Sequence, residues 1–295
     1  MSESRRSLAL VLLVATMVVW GSTFVITKAA AKDIAPMMLA TLRFLTAAIV
    51  LLPYAWLKGN WRSLPKPMPW GALFGMALTG IATFTIAFNY ALVYGSASQG
   101  ALIYALVPAA VAIAAVVFLK ERMSQRRIAG IVLSIVGVGL VALGAESDSS
   151  SPQPLLGAVW MIGAVLSWAA YTIFAKRLAE VDQAVTIALV SLFGTLMLVP
   201  LAAIELSHAP WQAPSTQAWL GVIFLGVAAS ALAYIAYGYA LRELEANLVG
   251  AFINLDPLVG VLTAVLFLGE TLHSGQMLGG AIALAGMWLA SSGEN

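Results

Sequence analysis

The chain has 295 residues, of which 61% are hydrophobic and 9% charged; 15 basic against 13 acidic side chains leave a net charge of +2, and the mean hydropathy is +0.94. A soluble domain carries about 25% charged and about 45–50% apolar residues, so the surplus apolar surface has to face lipid. The small net charge supplies no basic patch for phosphates and excludes nucleic-acid binding; the lack of cysteine removes disulfides, thiolate metal centres and cysteine nucleophiles.

An apolar stretch of about 20 residues crosses a hydrocarbon core of about 30 Å. Ten such stretches follow along the chain, at 7–28, 36–57, 69–92, 98–119, 126–144, 155–177, 184–205, 217–240, 247–268 and 276–292. Runs such as 128–143 do not alternate, as the strands of a membrane barrel do over about ten residues. The expected fold class is an all-α integral membrane protein with ten transmembrane helices. Arg5 and Arg6, followed by an apolar run and Ala29-Ala30-Ala31, imitate a secretory signal. The length of that run and its copy in the second half make it the first span instead.

Loop charge gives the orientation. Twelve basic residues lie on the side of the N terminus: Arg5, Arg6, Lys58, Arg62, Lys66, Lys120, Arg122, Arg126, Arg127, Lys176, Arg177 and Arg242. The opposite side carries only Lys28 and Lys32. By the positive-inside bias both termini are cytoplasmic, as expected of a multi-pass protein of the cell (inner) membrane. The charge-poor segment 146–154 is then external and links two halves, 1–145 and 155–295. Trp56, Trp61, Trp70, Trp211 and Trp219 near span ends fit an interfacial belt.

The halves are related in sequence. Trp20-Gly-Ser-Thr-Phe-Val-Ile-Thr-Lys28 matches Trp168-Ala-Ala-Tyr-Thr-Ile-Phe-Ala-Lys176, and Tyr90-Ala91-Leu92 matches Tyr239-Ala240-Leu241. Pro108, Phe118-Leu119-Lys120-Glu121, Gly130 and Gly137 match Pro257, Phe267-Leu268-Gly269-Glu270, Gly279 and Gly286. Five spans per copy is an odd number, so the second copy enters the membrane upside down. Two inverted five-helix repeats around a central cavity are a transporter architecture, with the site near the midplane.

The Trp20-Gly21-x-x-Phe24 end of the first span, Arg43-Phe44 in the second, and the Leu-x-Glu…Gly patterns at Leu119–Gly130 and Leu268–Gly279 resemble the drug/metabolite transporter superfamily. Within it the whole chain is most similar to EamA-type exporters, and among these to the YddG-type exporters of aromatic and other neutral amino acids. The resemblance implies export of small metabolites, aromatic and other neutral amino acids among them, through a ten-helix fold.

Polar groups at span centres are functional candidates by default. Thr16, Trp20, Thr23 and Thr27 form one stripe of the first span, and Trp168 and Tyr171 take the equivalent face of the sixth. These tryptophans lie too deep for an interfacial belt and are candidates to line a substrate cavity; the plain alternative is packing at a helix crossing. Thr79, Thr83 and Tyr90 share a face of the third span, and Ser230, Tyr234 and Tyr237 a face of the eighth. Ser and Thr often bond only their own helix carbonyls, whereas each buried phenol needs a partner. Pro108 and Pro257 interrupt the fourth and ninth spans and free carbonyls at Tyr104 and Ile253, beside which Tyr104 and Asn254 are further candidates. Asp256 is the only carboxylate at a span centre. It reads either as a proton-coupling site or as a helix N-cap followed by proline. Arg43 lies about 10 Å into the second span, either snorkelling or paired. Glu121 and Glu270 sit at span ends, as gate or capping residues, and Gly71-x-x-x-Gly75 and Gly275-x-x-x-Gly279 permit close helix approach.

The chain carries no phosphate-binding loop, so a transporter of this sequence works without hydrolysing nucleotide itself. His208 and His273 lie in loops, and neither His-Glu-x-x-His nor Gly-x-Ser-x-Gly occurs, which leaves an intramembrane enzyme few catalytic candidates. The expectation is a secondary transporter of small metabolites, with no metal, no cofactor and no catalytic residues, its partners a small-molecule substrate and the lipid bilayer. Other solutes (drugs, nucleotide sugars, sugar phosphates) and a passive channel are the alternatives, and the oligomeric state is open, a monomer being sufficient.

Overall fold

In lipid every backbone donor and acceptor must be satisfied within the segment, so long apolar runs close into helices. The structure, a computed structural model, describes residues 3–120, 122–145, 151–208 and 211–291. Among them are α1 (Glu3–Ala30), α2 (Pro36–Lys58), α3 (Trp70–Tyr94), α4 (Ala97–Leu119), α5 (Gln125–Leu143), α6 (Pro154–Arg177), α7 (Gln183–His208) and α8 (Thr216–Glu243). These eight are long and apolar enough to cross a membrane, and no strand occurs among the described residues. The chain is a multi-pass, all-helical membrane protein. Beyond α8 the expected ninth span is two short helices, α9 (Ala246–Ile253) and α10 (Leu255–Leu268), and α11 (Ser274–Ser291) has 18 residues. Length and apolar composition together therefore assign a crossing to eight of the ten stretches among the described residues.

The helix starts have local causes. Pro36 and Pro154 occupy the first helical turn, where a missing N–H costs nothing. Ser96, Ser124 and Ser215 each accept from the backbone N–H three residues on, at 3.0, 3.3 and 3.2 Å. Two starts are capped from afar. The Glu205 carboxylate accepts from the N–H groups of Met37 and Met38 at the head of α2, and Glu270 accepts from Ala97 and Ser98 at the head of α4, both at 2.8 Å. A carboxylate at a helix N-terminus meets unsatisfied donors and the positive end of the dipole. Of the two gate-or-cap candidates, Glu270 is thus a cap, and Glu121 lies outside the described residues.

Three helices depart from regular α geometry. α3 carries a π-helical turn at Leu78–Thr83 and α8 a longer one at Phe224–Leu232. α4 breaks between its arms Ala97–Tyr104 and Val107–Leu119, as the proline at 108 predicts. α4 ends at Lys120 and α10 at Gly269, both left-handed (φ 56° and 66°); an asparagine-free, non-glycine left-handed residue such as Lys120 is uncommon.

α1 packs against α8 and α10, α6 against α3 and α4, α2 against α7, and α5 against α11. The α5–α11 crossing is a backbone contact made by small residues. A Cβ on Gly137 would collide with the Ala283 backbone, and one on Gly286 with that of Ser134. Gly279 belongs to this seam too; of the Gly71 motif, a Cβ on Gly75 would collide with the Phe174 ring of α6, whereas one on Gly71 would meet nothing within 4 Å. Large apolar side chains such as Val11, Ile49, Phe118, Leu266 and Phe267 point outward, and Trp56, Trp61, Trp70, Trp211 and Trp219 are exposed near helix ends.

Candidate functional site

A cavity of about 690 Å³ lies between the helices, within the range of pockets that hold small ligands, about 300–1,000 Å³. Its deep wall is aromatic. Trp20 of α1 stands 5.3 Å from both Tyr234 and Tyr237 of α8, ring centre to ring centre. Trp168 and Tyr171 of α6 stack at 4.7 Å, and Phe84 of α3 sits 5.2 Å from Trp168. Phe24 joins Tyr104 and Phe88 at 5.7 and 5.0 Å. Each tryptophan thus packs on aromatic residues from the other half of the chain.

The cavity runs toward the face on which α1 begins. Leu178, Ala179 and Val181 between α6 and α7, Gln183 at the start of α7, Leu241 near the end of α8 and Arg127 near the start of α5 line that end, and Ala179 and Leu241 are exposed there. The opposite face is stitched shut. Buried Lys28, near the end of α1, donates to the Leu92 carbonyl at 3.1 Å and to that of Gly95. Asn89 donates to the Pro36 carbonyl at 2.8 Å, Gln99 to that of Pro154 at 3.1 Å, and the Gln153 N–H to that of Tyr94 at 3.0 Å. The Glu205 and Glu270 caps lie on the same face. So does Asp33, which accepts from the Ser215 N–H at 3.2 Å; its bonds to Ser215 hold the Asp33 carboxyl below the usual carboxylate range.

Of the candidates from sequence, Trp20, Thr23, Arg43, Tyr104, Pro108, Trp168, Tyr171, Tyr234, Tyr237, Asn254, Asp256 and Pro257 line the cavity. Two do not. Thr83 is exposed, bonded to the Leu78 carbonyl at 3.0 Å and near Ser167 Oγ at 3.2 Å. Tyr90 stacks on Trp160 and Tyr94 at 5.2 and 6.2 Å. The face of α3 that lines the cavity is the one with Phe84 and Phe88. Thr23 itself donates to the Trp20 carbonyl at 2.6 Å, a bond within its own helix. Phe24, Phe84, Phe88, Thr172 and Gln183 also line the cavity; apolar aromatics in apolar spans carry no sequence signal of their own.

Arg43 does not snorkel. It is 7% exposed, its Nε donates to Ser230 Oγ at 2.7 Å, and its guanidinium lies 5.4 Å from the Phe44 ring centre. Asp256 is not an N-cap: it is the second residue of α10, behind Asn254, and Pro257 follows inside the first turn. Its Oδ1 is buried and accepts no hydrogen bond from any described residue.

The sequence model of the EamA-like transporter family matches twice, at residues 7–143 and 155–292. A probable amino-acid metabolite efflux pump of Salmonella typhimurium is 30% identical over 97% of this chain and 95% of its own. A probable terminal-alkyne amino-acid exporter of Streptantibioticus cattleyicolor is 28% identical over 94% and 91%, and an uncharacterized transporter of Archaeoglobus fulgidus 30% over 96% and 97%. A crystal structure that superposes with a TM-score of 0.65 over 97% of each chain, at 18% identity, shares the fold. A cavity inside a bundle of membrane-crossing helices, relatives matched end to end and two family matches lead to one conclusion: the chain belongs to the EamA-like transporter family and is a transporter, not an enzyme.

Proposed function

We propose that this transporter exports aromatic and other neutral amino acids across the cell (inner) membrane by alternating access. The observation that carries the reading is the 690 Å³ cavity walled by Trp20, Trp168 and their tyrosine and phenylalanine neighbours. Faces of Trp and Tyr accept apolar and aromatic side chains. With few cations in its wall, the cavity suits neutral zwitterions better than sugar phosphates or nucleotide sugars. Relatives named as amino-acid exporters support the same reading.

The architecture is ten crossings in two inverted five-helix units, 1–145 and 155–295, joined by an external linker at 146–154. Support comes from four correspondences. The family model matches each half, and both third helices carry a π turn. Both fourth segments break before a proline and end left-handed, at Lys120 and Gly269. Exchanging the halves turns the α1–α8 and α1–α10 contacts into the α6–α3 and α6–α4 contacts, and returns α2–α7 and α5–α11 to themselves. By the loop charges both termini are cytoplasmic, so this conformation faces inward. One chain supplies both halves of the wall, and a monomer suffices.

Flux into proteoliposomes tests the substrate. Labelled neutral and aromatic amino acids are expected to move, and acidic and basic ones poorly. Movement of a sugar phosphate with every amino acid inert overturns the assignment.

A further inference from the structure

Three charged residues line the cavity: Arg43, Asp256 and Arg127. Arg127 lies near the start of α5, at the mouth. The other two sit in the deep wall, and both are almost fully buried, at 7% and 6% exposure. A buried charge at membrane depth is costly unless a partner compensates it. The hydrogen bond of Arg43 among the described residues goes to Ser230, which is neutral, and Arg43 lines the cavity. Asp256 Oδ1 has no donor among the described residues. The two do not pair with each other or with any other described charge. Both line the same cavity, with Tyr104 in its wall as well, so the opposite charges face one chamber without closing on each other.

The placement is built by the fold. Arg43 is held by the π turn of α8, which presents Ser230 to it. Asp256 is held by the break between α9 and α10, with Gly21 of α1 packed so closely on its backbone that a Cβ there would clash. Each is therefore placed by a departure from regular geometry beside it, the π turn of α8 that meets Arg43 and the break that precedes Asp256.

Resting on the amino-acid reading, we infer that Arg43 and Asp256 divide the recognition of the substrate's zwitterion: Arg43 takes the α-carboxylate and Asp256 the α-ammonium, while the aromatic wall receives the side chain. A guanidinium offers forked donors to a carboxylate, and a carboxylate with an unpaired oxygen can accept from an ammonium. A ligand carrying both charges compensates both walls at once. A ligand carrying one leaves the other charge buried and bare, which is how a site built on hydrogen bonds rejects analogues.

Competition against labelled phenylalanine binding in the full-length protein, reconstituted in lipid, separates the roles. The probes are phenylalanine, 2-phenylethylamine (no carboxylate) and 3-phenylpropionate (no ammonium). Wild type is expected to prefer phenylalanine over each analogue by at least about tenfold, one charged contact's worth. Arg43→Gln should weaken phenylalanine by about tenfold yet leave 2-phenylethylamine unchanged; Asp256→Asn should do the same with 3-phenylpropionate spared. If a variant does not fold, the wild-type ranking decides alone, with Arg43→Lys and Asp256→Glu as milder replacements. A wild type that moves amino acids but binds both analogues as tightly as phenylalanine overturns the zwitterion site and leaves amino-acid transport standing. Variants that keep the wild-type ranking do likewise. A wild type that neither binds nor moves any amino acid overturns both.

Discussion

Trp20 commits its indole N–H to the Ala229 carbonyl at 3.0 Å, so the cavity meets its ring and not its donor. That bond fixes the ring against Tyr234 and Tyr237. Aromatic pairs of this kind contribute about 0.5–1.5 kcal/mol each beyond burial. Trp20→Ala is therefore expected to raise KM for phenylalanine about tenfold or more and to lower Tm by several degrees. Trp20→Phe, which keeps the ring but loses the anchor, should fall between wild type and alanine in a flux assay. Unaltered transport in Trp20→Ala returns the ring to plain packing. Residue identities such as Trp20, Trp168, Arg43 and Asp256 were legible in the sequence because a polar or amphipathic group deep in an apolar run stands out. Phe24, Phe84 and Phe88 were not, since an apolar aromatic among apolar residues has nothing to distinguish lining from lipid contact.

At the scale of elements, irregularity does the positioning. The π turn in α8 brings Ser230 onto Arg43, and the one in α3 precedes Phe84 and Phe88, which line the cavity. Neither turn has a sequence signature comparable to proline, which is why the α4 break was legible and the face of α3 was misjudged. Glycine spacing was legible for the same reason as proline: Gly130, Gly137, Gly279 and Gly286 recur in register, and the structure gives the cause in the backbone contact between α5 and α11. Gly137→Leu or Gly286→Leu forces these backbones apart and should cost about 1–3 kcal/mol or more. Thermal unfolding in detergent would read this as a clear fall in Tm. Gly71→Ala, at a position with no neighbour, should leave Tm within about a degree of wild type. Equal effects at all three positions would contradict the seam.

The whole molecule is closed on one face by the bonds of Lys28, Asn89, Gln99, Glu205 and Glu270, and entered from the other through the chamber beside Ala179 and Leu241. With no native cysteine, single replacements report access without background. Ala179→Cys is expected to react with an impermeant maleimide applied to the face on which α1 begins. Ser98→Cys, buried behind the Glu270 cap, should react slowly from the other face and faster when combined with Lys28→Ala. Equal rates with and without Lys28 would remove that lysine from the seal. The central claim is that one cavity serves both faces in turn, and counterflow addresses it directly. Proteoliposomes preloaded with unlabelled phenylalanine should take up labelled phenylalanine faster than empty ones, with the stimulation lost in Trp20→Ala. Uptake indifferent to the preloaded substrate would describe a channel and contradict the account.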